Sequence, residues 1–252
     1  AILEKPVGAA RSDYKRLADQ ICTQLVIMSE VKVIRQRRPL LHAAEARPPV
    51  ARDPRAGAFR VLGVAASTGG PNALERLLGG LPANFPLPIL VVQHITASFL
   101  DGFSAWLDDV CPFPTAIARD GEAPAAGRVY LAPADGHLKI RSGRIWLDPG
   151  PPVSNQRPSG TALFESLARE YGSRALGILL TGMGDDGARG LLELRSTGGH
   201  TLAEDESTAV VYGMPSAAVN LGAVCESLPL DDIPGRVVEL MSESKEDGDA
   251  RP

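Results

Sequence analysis

From Arg60 onward the chain alternates short apolar runs with amphipathic stretches. The apolar runs are RVLGVAA (60–66), PILVVQ (88–93), ALGILL (175–180), HTLAE (200–204) and AVCESL (223–228). The first three carry almost no polar alternation, which is the pattern of strands buried on both faces. Apolar residues at helical spacing predict helices over 72–79, 98–110, 159–171, 188–196, 208–219 and 232–241. In the first of these, Leu74, Leu77 and Leu78 fall on one face. Strands that alternate with amphipathic helices call for an α/β fold: a doubly wound, mostly parallel sheet with helices on both faces. One stretch has another texture. RVYLAPADGHLKIRSGRIWLD (128–148) alternates apolar with polar and contains Asp-Gly and Ser-Gly pairs, so it predicts an antiparallel β-hairpin insertion. No internal repeat is visible.

The segment ahead of residue 59 reads differently. AILEKP resembles the end of a strand, and Ser12 can cap a helix in which Tyr14, Leu17, Ala18, Ile21, Leu25 and Met28 share a face. Nothing local offers that face a surface to pack on. Residues 35–58 are rich in Pro, Ala and Arg without periodicity and read as a linker. The expected organisation is therefore the C-terminal end of a separate domain at 1–34, a linker at 35–58, a main domain at 59–241 and a frayed polar tail at 242–252.

Composition narrows the classes of function. With 252 residues, 44% of them hydrophobic, the chain can bury one large core. It has no apolar run near the ~18 residues of a membrane span and no secretory leader pattern. Three cysteines, at 22, 111 and 225, are odd in number and far apart, which points away from a disulfide framework and toward a reducing cytoplasm. The four histidines are scattered at 42, 94, 137 and 200 and there is no CxxC, so no metal site is expected. The net charge of −4 is uneven: residues 1–58 hold 11 of the 26 basic and 6 of the 30 acidic side chains, leaving 15 and 24 to residues 59–252. An acidic main domain is a poor footprint for nucleic acid. The arginines at 35, 37 and 38 read as a solvated part of the linker.

Chemistry enters at the strand ends, because ligands of an open parallel sheet sit beyond the carboxyl ends of its strands. Ser67 follows the first run, His94 the second, and TGMGDDG with Asp185 and Asp186 follows the third. A serine hydroxyl needs a neutral imidazole to take its proton, and the imidazolium then needs a carboxylate. The STGGP turn also opens a helix whose free N–H groups face the same edge, with Pro71 in the first turn where no N–H is missed. AASTG departs from the G-x-S-x-G elbow by Ala65. Phosphate binding at these glycines is disfavoured: GVAASTGG does not space them as G-x-G-x-x-G, and Gln93 and His94 stand where a ribose-binding acid belongs. The residues alone leave two readings open, a serine hydrolase and ordinary turn chemistry, and they do not choose between the two aspartates.

Taken in order, GVAASTGGPNAL, VVQHI, GEAPAAGRVYLAPADGHL, GPPVSNQRPS, ILLTGMGDDGARGL and YGMPSAAV resemble the CheB-type chemotaxis methylesterases over residues 59–241. The resemblance implies a protein-glutamate methylesterase, with protein-glutamine glutaminase activity beside it. It implies Ser67 as nucleophile, His94 as base and Asp186, on the G-M-G-x-D-G aspartate, as the acid. Backbone amides near Thr68 and Met183 become the expected oxyanion donors. No cofactor or metal is expected. The implied partners are the cytoplasmic helices of methyl-accepting chemoreceptors, and the chemotaxis histidine kinase through a receiver domain. Neither nucleic acid nor membrane insertion is expected, and the implied location is cytoplasmic. LEKP, with Lys5, looks like the last strand of such a receiver, whose phosphoacceptor aspartate would lie upstream. Departures from the family pattern are Ile95 and Thr96 after the base, Asn155, Gln156 and Thr161 around the R-P-S block, and Glu204 where glutamine is common. A receptor- or kinase-binding domain of weak activity and an esterase of small molecules are the alternatives.

Overall fold

The computed structural model describes residues 59–249. The expected receiver end at 1–34 and linker at 35–58 lie outside the described residues, as do residues 250–252. The element order is β1 (Val61–Ala66), α1 (Gly70–Gly79), β2 (Ile89–Gln93), α2 (Ala97–Val110), β3 (Thr115–Ile117), β4 (Val129–Leu131), β5 (His137–Arg141), β6 (Arg144–Asp148), α3 (Gly160–Tyr171), β7 (Ala175–Leu179), α4 (Ala188–Ser196), β8 (His200–Glu204), α5 (Met214–Asn220), β9 (Glu226–Leu228) and α6 (Ile233–Asp249).

Seven strands form one sheet in the order β3-β4-β2-β1-β7-β8-β9, and every pairing in it is parallel. Strands β5 and β6 form a separate antiparallel pair. The sheet is covered on both faces, as the unalternating strand runs require. In β1, Leu62, Val64 and Ala66 point into a core shared with Leu74, Leu77 and Leu78 of α1, Leu107 of α2 and Val237 of α6. Val61 and Ala65 point the other way, into a core with Leu163, Phe164 and Leu167 of α3 and Leu191 and Leu194 of α4. Each such aliphatic side chain contributes about 1.5–3 kcal/mol on full burial. The central strands β1, β2 and β7 are therefore fixed from both sides, and so are the residues that follow them.

Strand order reverses between β1 and β7: the chain builds outward from β1 through β2 and β4 on one side, then returns to lay β7 on the other. The crevice at such a reversal is where open α/β sheets bind their ligands.

The structure differs from the pattern-based reading in local detail. The expected hairpin over 128–148 is confined to 137–148, because Val129–Leu131 pairs in parallel with β2 and with β3. Three-residue strands such as β3 and β4 are too short to carry a period, and their neighbours decide their pairing. The helix expected over 208–219 begins only at Met214. Upstream of it the backbone is held extended: Gly182 N–H donates to Val211 O at 3.0 Å, and Gly182 and Tyr212 form an isolated parallel bridge. Pro215 in the first turn then starts the helix. At the other end, α6 continues through most of the expected tail, to Asp249.

Candidate active site

The turn after β1 is held at both ends by backbone bonds. Ser67 N–H donates to Thr181 O at 3.0 Å, and Ser67 O accepts from Gly70 N–H at 2.8 Å. Gly69, at φ +83°, lies in the left-handed region that a side chain would strain, and it caps α1. Gly70 is required for a different reason: any Cβ there would collide with the amide of Gln93. That amide, on a buried side chain, donates from Nε2 to Ser67 O at 2.9 Å and to His94 O at 3.1 Å. Gln93 thus pins the end of β2 to the serine turn. The two glycines serve this packing as much as they leave room for a substrate.

His94 is placed by register. Ala66 lies opposite Gln93 in the parallel β1–β2 pair, so the next residues, Ser67 and His94, leave the sheet side by side, and His94 N–H donates to Ala66 O at 3.0 Å. The imidazole Nε2 bonds Asp186 Oδ2 at 2.9 Å.

Asp186 comes from the turn after β7, and α3 surrounds it with donors. Its Oδ1 accepts from the Ser159 hydroxyl at 2.6 Å and from Thr161 N–H at 3.2 Å, and its Oδ2 accepts from Gly160 N–H at 2.6 Å as well as from His94. Ser159 is the N-cap of α3, so the carboxylate sits on the positive end of that helix. Burial raises the carboxyl's affinity for a proton, but hydrogen bonds from His94, Ser159 and Gly160 outweigh it, and Asp186 is held below the usual carboxylate range. Asp185, beside it, is exposed. Burial and these four donors distinguish Asp186 from its exposed neighbour.

The ionised carboxylate only accepts, so the proton of a neutral imidazole sits on Nε2. Nδ1 keeps its lone pair. It is buried and has no hydrogen-bond partner among the described residues. The structure therefore joins His94 to Asp186 and sets Ser67 beside them, but the Ser67 hydroxyl does not bond the imidazole here. Around Ser67, neither the Thr68 nor the Met183 N–H donates to an acceptor among the described residues. Met183 follows Gly182, whose Cβ, were there one, would stand 2.8 Å from Ser67 Cβ. Both amides are thus free donors close to the serine.

Sequence reasoning missed the residues that hold these groups: Ser159, Gly160 and Thr161 around Asp186, Gln93 beneath the serine turn, and Thr181. Ser159 ahead of an apolar helix is legible as a cap, but its bond to a carboxylate in a distant turn is not. Thr161, one of the departures from the family pattern, accepts from Gly187 N–H at 2.8 Å and so ties the start of α3 to the Asp186 turn. Ile95, another departure, is half-buried against the core on the α1 side. Among the described residues no cluster of His, Cys, Asp and Glu is arranged to hold a metal ion, and no helix is long and apolar enough to cross a membrane.

Known proteins resemble this chain in sequence and in fold. Residues 62–237 match the family model described as CheB methylesterase. A protein-glutamate methylesterase/protein-glutamine glutaminase of Paramagnetospirillum magneticum is 50% identical over 242 residues, which are 95% of this chain and 69% of that protein. One from Anaeromyxobacter dehalogenans is 47% identical over 240 residues, covering 95% of this chain and 68% of its own length. Among solved structures, the CheB methylesterase catalytic domain of Thermotoga maritima superposes with a TM-score of 0.69 at 36% identity, over 73% of this chain and 99% of that domain. With the family model matched over most of its length and relatives 47% and 50% identical, this chain belongs to the CheB methylesterase family.

Proposed function

We propose that this chain hydrolyses methyl esters of glutamate side chains on chemoreceptors, with Ser67 as nucleophile, His94 as base and Asp186 as the acid that holds the imidazole. The observation that carries this reading is the 2.9 Å bond from His94 Nε2 to an ionised, donor-saturated Asp186, which leaves Nδ1 as an unshared lone pair on the residue beside Ser67. In the reaction the Ser67 hydroxyl turns toward Nδ1 and gives up its proton as Oγ attacks the ester carbonyl. The imidazolium is stabilised by Asp186, and the free N–H groups of Thr68 and Met183 face the oxyanion. Collapse of the tetrahedral intermediate breaks the acyl C–O bond, and the proton on Nδ1 leaves with methanol. A water that loses its proton to the same nitrogen then attacks the acyl-serine, releasing glutamate and restoring the serine. A glutamine side chain follows the same route with ammonia as the leaving group, which is the glutaminase activity in the relatives' names.

The partners of this reading are the methylated cytoplasmic helices of chemoreceptors, met in the cytoplasm. A chemotaxis histidine kinase, reached through a receiver domain, is the further partner of this reading. The test is methanol release from methylated receptor membranes. The wild type should release methanol and Ser67→Ala should fall by several orders of magnitude. Equal rates would overturn the mechanism. A fluorophosphonate probe checks the nucleophile independently, because labelling should map to Ser67.

A further inference from the structure

One strand beyond β7, at the carboxyl end of β8, lies a carboxylate that the mechanism does not use. Glu204 is 1% exposed. Among the described residues no lysine, arginine or histidine forms an ion pair with it. The charged groups that act on it are Arg76 of α1, itself paired with Asp231, and its chain neighbour Asp205. Burial pushes its carboxyl above the usual range against the pull of its hydrogen bonds with Thr181 and Thr208. A lone buried acid at the edge of a candidate active site needs a reason.

The reason lies in its hydrogen bonds. Glu204 Oε2 accepts the N–H of Thr181 at 2.8 Å. Thr181 is where the strap after β7 meets the serine turn. Its carbonyl accepts Ser67 N–H at 3.0 Å, and its hydroxyl donates to Thr68 O at 2.9 Å while accepting Val211 N–H at 2.9 Å. Every polar group of Thr181 is engaged, and the only one that faces away from the serine turn and the Val211 strap is the N–H held by Glu204.

We propose that Glu204 is a positioning residue for the nucleophile: its side chain anchors Thr181, and Thr181 in turn fixes the Ser67 amide and the Thr68 carbonyl, and with them the free Thr68 N–H. What the site demands is an acceptor at this point rather than a charge. A glutamine, which is isosteric, can accept the same N–H through its carbonyl oxygen. A leucine cannot, and it would strand a buried donor. Thr181 would then shift to find water or another acceptor, and displacements of about 1 Å at a reacting centre cost on the order of a hundredfold in rate.

The inference rests on the reading of Ser67 as the nucleophile, so its test carries a readout that does not depend on turnover. Wild type, Glu204→Gln and Glu204→Leu are compared by amide hydrogen exchange over residues 67–70 and 181–184, and by the rate of fluorophosphonate labelling at Ser67. Methanol release gives kcat and KM. Glu204→Leu should remain folded by circular dichroism, exchange faster in both segments, label about 10–100-fold more slowly and lose kcat with KM within about threefold. Glu204→Gln should recover protection, labelling and kcat to within about threefold. Unaltered exchange in a folded Glu204→Leu would overturn the anchor. Faster exchange with wild-type labelling would overturn its role in positioning the serine. A Glu204→Gln as impaired as Glu204→Leu would assign the effect to the charge and overturn the acceptor argument. A wild-type protein that never labels at Ser67 would instead overturn the catalytic reading, while the exchange data still decide whether Glu204 holds the turn.

Discussion

Replacing Asp186 by asparagine tests the centre of the site, because it keeps the shape and removes half of the acceptors. In the native structure Oδ1 receives two donors and Oδ2 two more, one of them the imidazole. An asparagine offers one oxygen, and its NH2 group must face the other pair. Either Ser159 and Thr161 or Gly160 and His94 then meet a donor where they had an acceptor. A hydrogen bond to a charged group contributes ~1.5–3 kcal/mol, so the two losses amount to about 3–6 kcal/mol before relaxation. Relief from burying a charge returns part of this, leaving an expected destabilisation of ~2–4 kcal/mol at pH 7. The sign with pH follows from linkage. Asp186 has its folded pKa depressed, so its contribution is present above its unfolded value near 4 and is lost as pH falls through the lower folded value. Urea unfolding at pH 7 should separate the two proteins, and the gap should close in acid below about pH 4. Catalysis should suffer more, because nothing then fixes the proton on Nε2, and a fall of roughly three to four orders of magnitude in kcat is expected. An Asp186→Asn protein with kcat within tenfold of wild type would refute the assignment. A stability gap that persists unchanged into strong acid would refute the account of what holds the carboxylate.

Three other perturbations separate the supports of the site. Ser159→Ala removes both the α3 cap and a donor to Asp186, and should cost about 1–2 kcal/mol in urea unfolding with a several-fold lower kcat; wild-type values in both would sink the claim that this hydroxyl serves the acid. Gly70→Ala drives a methyl into the Gln93 amide and should destabilise by ~1–3 kcal/mol, while the double substitution with Gln93→Ala should cost less than the two single losses added together; strict additivity would mean the two do not meet. Glu204→Gln should melt above wild type at pH 7–8 and lose that advantage near pH 4, because a carboxyl with a raised folded pKa contributes stability below its unfolded value that is lost as pH rises through the folded one; equal melting curves at pH 8 would contradict the burial of an ionisable group there.

What could be read from the chain follows from where its forces act. The runs at 60–66, 88–93 and 175–180 are legible because strands covered on both faces leave no polar position, and the candidates Ser67 and His94 stand one step past the first two ends, while Asp186 lies in the turn after the third. Strands β3 and β4 stayed hidden because three residues carry no period, and their parallel pairing is decided by β2. The segment 208–213 has helical spacing but surrenders its backbone donors to Thr181 and Gly182, so tertiary bonds override the local pattern. Around Asp186 the limit is sharper. Residues 159–161 lie far from it in sequence, and no spacing rule links a helix cap to a turn that many residues separate from it. The aspartate's own neighbour, Asp185, is chemically identical, so the residues alone do not separate them; the family resemblance points to Asp186, and in the fold burial and its donors set it apart.

With His94 and Asp186 in the roles proposed for them, the site meets two opposed requirements by drawing on different kinds of structure. An acid that must stay ionised needs to be saturated with donors, and the first turn of a helix supplies N–H groups that have no other partner. A base that must stay reactive needs one acceptor left unsatisfied, and a buried lone pair without a partner costs roughly 1–3 kcal/mol. That cost is small beside the 8 kcal/mol or more by which enzymes lower barriers. Strand register keeps it small in another way: neighbouring parallel strands run about 4.8 Å apart, so the residues that follow β1 and β2 emerge with their side chains within reach of each other. On the proposed reading the Ser67 hydroxyl must turn toward the unpartnered Nδ1 of His94. The backbone beneath it stays where Gln93 and Thr181 hold it, and for that reason the turn needs two anchors from two different strands while the hydroxyl itself is left free.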